Sequence, residues 1–331
     1  MKKTLFGILI IVVVGVMAAP FCNGLMAEKV LRSQLDEYND RYADQPFYPQ
    51  LEITRYDRDF GSSEIEWTIT IPQLQAADDF PPIVLIEKAK HGYMGVTSTT
   101  SLDRNDWYVD FIREELDGND PLSIVSQYNF LSGVTTTATL AAIELLDNEN
   151  NRVSIKPAKL VIQADRSFEN FLTEANLEGF SFAEQVDIEG IELRSDVKRI
   201  SSFIMDGESS FSARNINFMD GDKGKDVAIS SLKALSKIDF DETGEKLSMS
   251  TGYSIDQIVA DEEKINDIRV EIGINQLDAK GLENIYKIYM DMMGDIMANL
   301  ATAQNDPGQS KAMLDQKMDL MGVCVAPGPW N

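Results

Sequence analysis

Residues 51–71 read LEITRYDRDFGSSEIEWTITI, and this stretch decides the fold class. In its second half, Ile65, Trp67, Ile69 and Ile71 alternate strictly with polar residues. Successive side chains of a strand point to opposite faces, so this alternation predicts a β-strand with one buried face. Gly61 lies between the two halves, where a turn can reverse the chain. The stretch therefore predicts a β-hairpin.

The same period of two recurs along the rest of the chain. It is longest at Leu247, Met249, Thr251, Tyr253 and Ile255, and at Ile268, Val270, Ile272 and Ile274. Shorter runs lie at 83–86, 135–138, 191–193 and 211–213, and turn residues cluster at 147–151 and 220–224. One solvated face per sheet is typical of antiparallel pairing. We therefore expect an α+β, strand-dominated fold with a large curved antiparallel sheet.

Three segments have helical spacing instead, with apolar residues recurring every three or four positions. The first is a stalk at 25–42, and the second is a short helix near 105–116. In the third, Asp278 is placed to cap a C-terminal amphipathic helix. The apolar stripe of that helix consists of Leu282, Ile285, Tyr286, Tyr289, Met292, Met293, Ile296 and Leu300. A single stripe of this kind predicts a helix that lies across the sheet.

The N-terminus carries a segment that is directed to a membrane. Lys2 and Lys3 precede residues 5–21, a run of seventeen residues without a charge. That length fits either a signal anchor or a cleaved signal peptide over residues 1–24. Cleavage after Ala18 or after Gly24 fits the usual small-residue pattern poorly, and a helical stalk is expected of a tethered chain. We therefore favour the anchor.

This choice fixes the expected organisation of the chain. An anchor at 1–24 leads into a stalk at 25–44 and an exported β-rich domain at 45–331 that ends with the C-terminal helix. Because basic residues stay on the cytoplasmic side, the expected location is the cell envelope, with the N-terminal helix in the inner membrane and the bulk in the periplasm.

The charge of the chain limits its partners. The formal net charge is −24, with 54 acidic and 30 basic residues. Proteins bind nucleic acid by neutralising phosphates with Lys and Arg, so nucleic acid is not an expected partner. The acidity is explained either by solubility or by a basic partner. Cys22 and Cys324 lie near opposite ends, which fits neither a zinc site nor a redox pair, and their pairing stays open.

Side chains for catalysis or metal binding are scarce. His91 is the single histidine, which excludes most histidine-based catalytic and metal sites. Its place beside Gly92 at a strand end favours a packing or turn role. Asp220, Asp222 and Asp226 resemble the start of a calcium loop, but the closing glutamate is missing and lysines are interleaved. We therefore predict no catalytic residue, no metal site and no cofactor.

The methionines of the C-terminal helix have two interpretations. They are either ordinary core residues or part of an adaptable apolar surface, because unbranched thioether side chains repack readily. The second interpretation predicts a ligand-binding set made of Tyr286, Tyr289, Met292, Met293 and Met297, with an apolar or lipid ligand.

Three short motifs resemble the YdgA-like family of bacterial envelope proteins, a domain of unknown function. The first is the anchor followed by Tyr56, Gly61 and Ser62-Ser63, and the second is His91-Gly92, where Tyr93 replaces the family's proline. The third is the segment 274–278, Ile-Asn-Gln-Leu-Asp, which leads into the C-terminal helix. The resemblance implies an inner-membrane-anchored periplasmic protein that self-associates as a homo-oligomer, and it implies no catalytic residue.

The predicted function is non-enzymatic. We expect a membrane-tethered binding or scaffold protein of the envelope that holds an apolar ligand or a protein partner. The alternatives are a self-assembling structural protein of the envelope and a hydrolase that acts through carboxylates. An apolar cleft favours the first, long unpaired edge strands favour the second, and convergent buried carboxylates favour the third.

Overall fold

Strands follow one another along most of the chain in the computed structural model. The structure describes residues 2–42, 48–70, 82–103, 105–146, 150–183, 185–201, 204–219, 226–241, 243–260 and 263–289, with side chains in the first range from residue 18 onward. The predicted turn at 220–224 and most of the turn at 147–151 lie outside these residues.

The described residues contain fifteen strands and three helices. The helices are α1 (Lys2–Tyr42), α2 (Asp106–Glu115) and α3, which covers 279–289 of the described residues. The strands are β1 (Gln50–Arg58), β2 (Ser62–Thr70), β3 (Ile83–His91), β4 (Gly95–Leu102), β5 (Leu122–Asn129), β6 (Gly133–Leu140), β7 (Ile143–Leu146), β8 (Arg152–Ile155), β9 (Ala158–Ala164), β10 (Asn170–Phe182), β11 (Val186–Arg199), β12 (Met205–Phe218), β13 (Val227–Phe240), β14 (Lys246–Ala260) and β15 (Glu263–Asp278).

All fifteen strands belong to one sheet, and every strand pair is antiparallel. The order is β1-β2-β3-β4-β5-β6-β9-β10-β11-β12-β13-β14-β15, with β7 paired to β8 and β8 paired to β10. Sequential strands lie side by side because each turn reverses the chain onto its predecessor. The predicted α+β, strand-dominated fold with a large antiparallel sheet is confirmed.

The opening hairpin forms as predicted. Ile65 of β2 pairs with Tyr56 of β1, and the reversal is closed by the hydrogen bond from Asp59 N to Ser62 O at 2.9 Å. Ile65 is 3% exposed, so the alternating residues of β2 point into the protein as expected. The longer period-two runs are likewise strands, namely β14 and β15.

The predicted cap at Asp278 is confirmed, and Asn105 caps the short helix that was predicted near 105–116. The Oδ1 atom of Asn105 accepts a hydrogen bond from Tyr108 N at 2.9 Å, which begins α2 at Asp106. The Oδ1 atom of Asp278 accepts from Gly281 N at 2.6 Å, which begins α3 directly after β15. Each side chain satisfies an N–H group that the first turn of a helix leaves without a partner.

Helix α1 lies on one face of the sheet, which we call the inner face. Leu35 and Tyr38 of α1 share a cleft of about 360 Å³ with Trp67 of β2 and with Phe171 of β10. Six strand spacings separate β2 from β10, about 29 Å in a flat sheet. A helix is only about 10–12 Å across. The sheet therefore curves around α1, as predicted.

Polar contacts also fix α1 to the first hairpin. Glu28 accepts a hydrogen bond from Arg58 at 2.7 Å, and the same guanidinium lies 5.5 Å from the ring of Phe21. That ring stacks on Phe60 at 6.0 Å between centroids. The predicted stalk thus packs against the sheet in this structure.

A line of irregular pairing crosses the six last strands. Gly190, Ser231 and Asp267 adopt positive φ values of 63°, 58° and 56°. None of the three has a directly paired residue on the neighbouring strands. This conformation costs a non-glycine residue roughly 1–2 kcal/mol. The two side chains at Ser231 and Asp267 therefore sit in a strained backbone that the surrounding pairing maintains.

Candidate functional site

A row of small hydroxyl side chains runs across the inner face, perpendicular to the strands. Residues that pair directly across an antiparallel sheet point to the same face. Nine of its twelve positions are Ser or Thr, and the others are Ala89, Ile162 and Ile272; in order the row is Ser63, Ala89, Ser98, Ser126, Thr136, Ile162, Thr173, Ser195, Ser209, Ser236, Thr251 and Ile272. Neighbours in this hydroxyl row bond to one another, as in Ser126–Thr136 at 2.9 Å and Ser195–Ser209 at 2.8 Å.

An apolar row flanks the hydroxyl row on each side. From β9 onward the first apolar row is Leu160, Ala175, Leu193, Phe211, Ala234, Tyr253 and Val270. The second is Ala164, Phe171, Val197, Gly207, Ile238, Met249 and Ile274. Large apolar side chains flank a Ser or Thr on both sides at β11 and β14 and on one side at β10, β12 and β13, and we call this arrangement over β9–β15 the inner groove.

Much of the inner groove is open to solvent among the described residues. Leu193 is 41% exposed, Tyr253 48% and Ile274 52%. A cleft of about 250 Å³ at the β9 end has a mostly apolar lining, which includes Leu160, Leu177, Ile191 and Leu193. Exposed apolar patches of this kind mark binding surfaces, because water wets them at a free-energy cost.

The outer face has the opposite chemistry. Along each strand, the residues that alternate with those of the inner rows point to this face. They line a trough of about 980 Å³ and include Lys159, Glu174, Glu192, Arg194, Lys233 and Arg269. Arg194 pairs with Glu174 across β11 and β10. The sheet therefore has one charged, well-solvated face and one apolar face.

The structure describes only part of the predicted ligand-binding set. Met292, Met293 and Met297 lie outside the described residues. Tyr286 and Tyr289 of α3 are about two-fifths exposed, with ring centroids 6.4 Å apart. Tyr48 stacks on Tyr42 at 4.1 Å. Burial raises the pKa of Tyr48, and Tyr42 and then Tyr286 raise it further, so Tyr286 of α3 lies near Tyr48.

His91 lies beneath α1, where the helix meets the sheet. Its Nε2 atom is 3.0 Å from Ser63 Oγ, and the residue is 7% exposed. The side chain of Asn23 donates to the carbonyls of Gly92 at 2.6 Å and Tyr93 at 3.0 Å. Gly24 lets the helix approach the imidazole, because a Cβ there would lie 2.3 Å from two ring atoms.

The geometry around His91 is that of a packing contact. A serine beside a histidine can form a nucleophile and its base. Here α1 covers both, since Ser63 is only 6% exposed, and within the described part of the chain His91 Nδ1 has no hydrogen-bond partner to orient the ring. Burial, aided by the positive charge of Arg58, lowers the pKa of His91, so the ring is neutral in the folded protein. The contact joins α1 to β2 and β3.

Acidic side chains do not converge in the described part of the chain. The polar residues that are fully buried there are Asn23, Ser63, His91 and Ser98, without a carboxylate. Within the same residues no group of three or more metal-ligating side chains comes together. Glu114 bonds to Arg113 at the surface of α2, and Asp226 is exposed. Asp220, Asp222 and Glu262 lie outside the described residues.

Sequence reasoning missed both the hydroxyl row and the contact of α1 with His91. A signal for the row is present, because Ser or Thr occupies one inner position in most strands, as at Ser195, Ser209 and Ser236. The sequence does not show that these residues lie side by side, because that depends on which residues pair between neighbouring strands. The contact of Asn23 with Gly92 joins residues 69 positions apart, and periodicity contains no information on such a pair.

Among the side chains that the structure describes, no helix combines the length and apolar character needed to cross a membrane. Most side chains of the predicted anchor run at 5–21 are not among them.

Three comparisons with known proteins complete the description. The sequence model of a family described as "Bacterial protein of unknown function (DUF945)" matches residues 1–322. No protein of curated function matches the chain. No solved structure matches it either.

Proposed function

Because the chain belongs to the DUF945 family of bacterial proteins of unknown function, we propose its function from its own geometry. We propose that it is a non-enzymatic, membrane-tethered envelope protein that holds an elongated apolar molecule, such as a fatty acyl chain, in the inner groove. The observation that carries this proposal is the pair of apolar rows, about half exposed at Leu193, Tyr253, Val270 and Ile274, on either side of a floor that is Ser or Thr from β10 to β14.

The shape of the inner groove supports an elongated occupant. From β10 to β14, where every floor residue is Ser or Thr, the inner groove crosses four strand spacings, about 19 Å. Ser195, Ser209 and Ser236 form a floor that is lower than the flanking Leu193, Phe211 and Ile238. A single apolar chain that lies on such a floor contacts large side chains on both sides. Compact ligands would leave most of this length uncovered.

The energetics also support an apolar occupant. Burial of apolar surface contributes roughly 25 cal/mol per Å². Side chains such as Leu193 and Tyr253 are about half exposed, so a bound chain would remove much of their remaining surface from water. The hydroxyls of the floor are already partly satisfied by their neighbours, as in Ser195–Ser209. They therefore lose little hydrogen bonding when an apolar chain covers them.

The location in the envelope rests on the N-terminal sequence. Lys2 and Lys3 followed by the charge-free run at 5–21 favour insertion with the bulk outside the cytoplasm. The resemblance of the hairpin, the His91-Gly92 turn and the segment 274–278 to YdgA-like proteins favours the same location. A periplasmic protein anchored in the inner membrane would meet acyl chains at that membrane.

Two leucines give a matched test of the proposal. Leu193 lies in the first apolar row and Leu235 lies on the outer face, and they are 41% and 46% exposed. We expect the full-length protein, purified in a mild detergent, to take up a fluorescent fatty acid. Leu193→Lys should weaken uptake at least about tenfold, because the bound chain would cover a charge. Leu235→Lys should change it less than about twofold.

A second pair tests the floor of the inner groove. Ser209 and Ser210 are adjacent in β12, and their side chains point to opposite faces. Ser209→Phe fills the floor and should abolish uptake, whereas Ser210→Phe should leave it unchanged. Absence of uptake by the unaltered protein, or equal effects of both members of either pair, would reject the inner groove as the binding site.

A further inference from the structure

The two edges of the sheet differ in how their backbone is covered. At the β1 edge, Asn39 of α1 donates from Nδ2 to Leu51 O at 2.7 Å and accepts from Leu51 N at 3.3 Å. This side chain takes the place of a neighbouring strand. At the other edge, β15 pairs with β14 alone among the described strands. Its 16 residues, Glu263–Asp278, form the longest strand of the sheet.

Free edge strands offer unpaired N–H and C=O groups to another strand. In β15 the side chains on the inner face are also apolar and exposed, with Val270 at 48% and Ile272 at 59%. Proteins protect such edges by covering, bending or shortening them. Asp267 and Gln276 interrupt the strand at two points, with φ values of 56° and 65°, and the pairing is regular over residues 268–274 between them.

The sequence of β15 is symmetric in its chemistry about Val270. Residues 268–272 read Ile-Arg-Val-Glu-Ile. Val270 pairs with Tyr253, so Ile268, Val270 and Ile272 point to the inner face. Arg269 and Glu271 point to the outer face, on either side of the centre. The apolar pattern is therefore the same in both directions along the segment, and the position of Arg269 in one direction is that of Glu271 in the other.

We infer that two copies of this chain join through β15, antiparallel and about a two-fold axis at Val270. In that register Val270 faces Val270 of the second copy, and Ile268 faces Ile272. Arg269 faces Glu271 twice, once on each side of the axis. Cross-strand apolar pairs and opposite charges each stabilise an antiparallel pair. The two sheets become one, and the first apolar rows of both copies meet.

Neighbouring registers lack this complementarity. A shift by one residue would place the apolar side chains of one copy on the face where the other has charges. An axis at Ile268 would place Ile272 against Lys264 and Val270 against Asn266. An axis at Ile272 would place Glu271 against Gly273 and leave Arg269 without an acidic neighbour. The net charge of −24 opposes association, but charges further apart than about 8 Å are screened at physiological salt.

Disulfide cross-linking tests the axis directly. In full-length protein with Cys22→Ser and Cys324→Ser, the Val270→Cys variant places two thiols opposite each other at the axis. Directly paired Cα atoms lie about 4.5–5.5 Å apart, within the range of a disulfide. We expect a covalent dimer on mild oxidation. Tyr253→Cys is the control, because it has the same exposure, and three strand spacings, about 14 Å, would separate its two copies.

Charge exchange tests the register. Sedimentation of the full-length protein should show that Arg269→Glu and Glu271→Arg each weaken self-association about tenfold or more, because like charges then meet at two places. The double variant restores opposite charges and should restore association. Arg194→Glu, on β11 away from the edge, should have no effect.

Three results would overturn the inference: a monomer at every concentration tested, equal cross-linking through residues 253 and 270, or a double variant as weak as the single ones. Truncation after Tyr289 covers one further outcome. If only the truncated chain associates, the segment 290–331 and not a second copy occupies the edge.

Discussion

The contact between Gly24 and His91 allows a prediction in which two physical effects oppose each other. In an isolated helix, Gly→Ala stabilises by about 1 kcal/mol, because alanine loses less conformational freedom. At Gly24 the new methyl group would lie 2.3 Å from Cε1 and Nδ1 of His91, a separation that atoms cannot adopt. Either the ring or the helix must move.

Neither partner can move without losing a contact. The ring is held by Ser63 Oγ at 3.0 Å, and α1 is held by the two hydrogen bonds of Asn23. Overpacking of a buried contact costs about 1–3 kcal/mol, and each lost hydrogen bond about 0.5–1.5 kcal/mol. After subtraction of the helical gain, we expect Gly24→Ala to destabilise the docked helix by about 1–3 kcal/mol.

Two measurements on the full-length protein test this value. Urea unfolding gives the change in the free energy of unfolding, and amide exchange of residues 18–42 reports whether α1 is released from the sheet. Gly252→Ala is the control, because a Cβ at that position meets nothing within 4 Å.

A double-mutant cycle separates the clash from other effects. In the His91→Ala background the ring is gone, so Gly24→Ala should be neutral or stabilising there. If Gly24→Ala stabilises the unaltered protein by about 1 kcal/mol, then α1 does not dock on His91 and the reasoning is wrong.

Three further predictions follow from the same structure and sequence. His91→Gln should alter stability more than any activity found later. Burial and Arg58 hold the pKa of His91 below its ordinary 6.5, so the unfolded chain takes up the proton first as the pH falls. The unaltered protein should therefore lose stability between pH 7.5 and 5, and unfolding curves of the variant should lack this loss. Ser231→Gly should stabilise by about 1 kcal/mol in urea unfolding, because Ser231 has φ 58°, and a destabilised variant would contradict the strain. A reporter that is active only outside the cytoplasm, fused after residue 331, should be active and pellet with membranes, and a soluble mature form would contradict the anchor.

Local features of the sequence were sufficient to predict the elements of the fold. Strand alternation at Ile65, Trp67 and Ile69 gave a hairpin with the correct inward face, because the two-residue period depends only on backbone geometry. The cap at Asp278 was predictable for the same reason, since its side chain bonds to a backbone N–H group three residues further along the chain. Antiparallel pairing followed from one solvated face per strand.

Tertiary structure decided the candidate sites. Each strand from β9 to β15 holds one member of the hydroxyl row and one of each apolar row, and the inner groove exists only because the six antiparallel pairings between these strands set those members side by side. Ser63 and His91, 28 positions apart, meet because β2 and β3 pair and α1 closes over them. The Ile-Arg-Val-Glu-Ile segment is visible in the sequence, but its role depends on its position in the sheet. In the middle of the sheet it would pair with its own chain on both sides, whereas at the β15 edge it has a partner strand on one side only among the described residues.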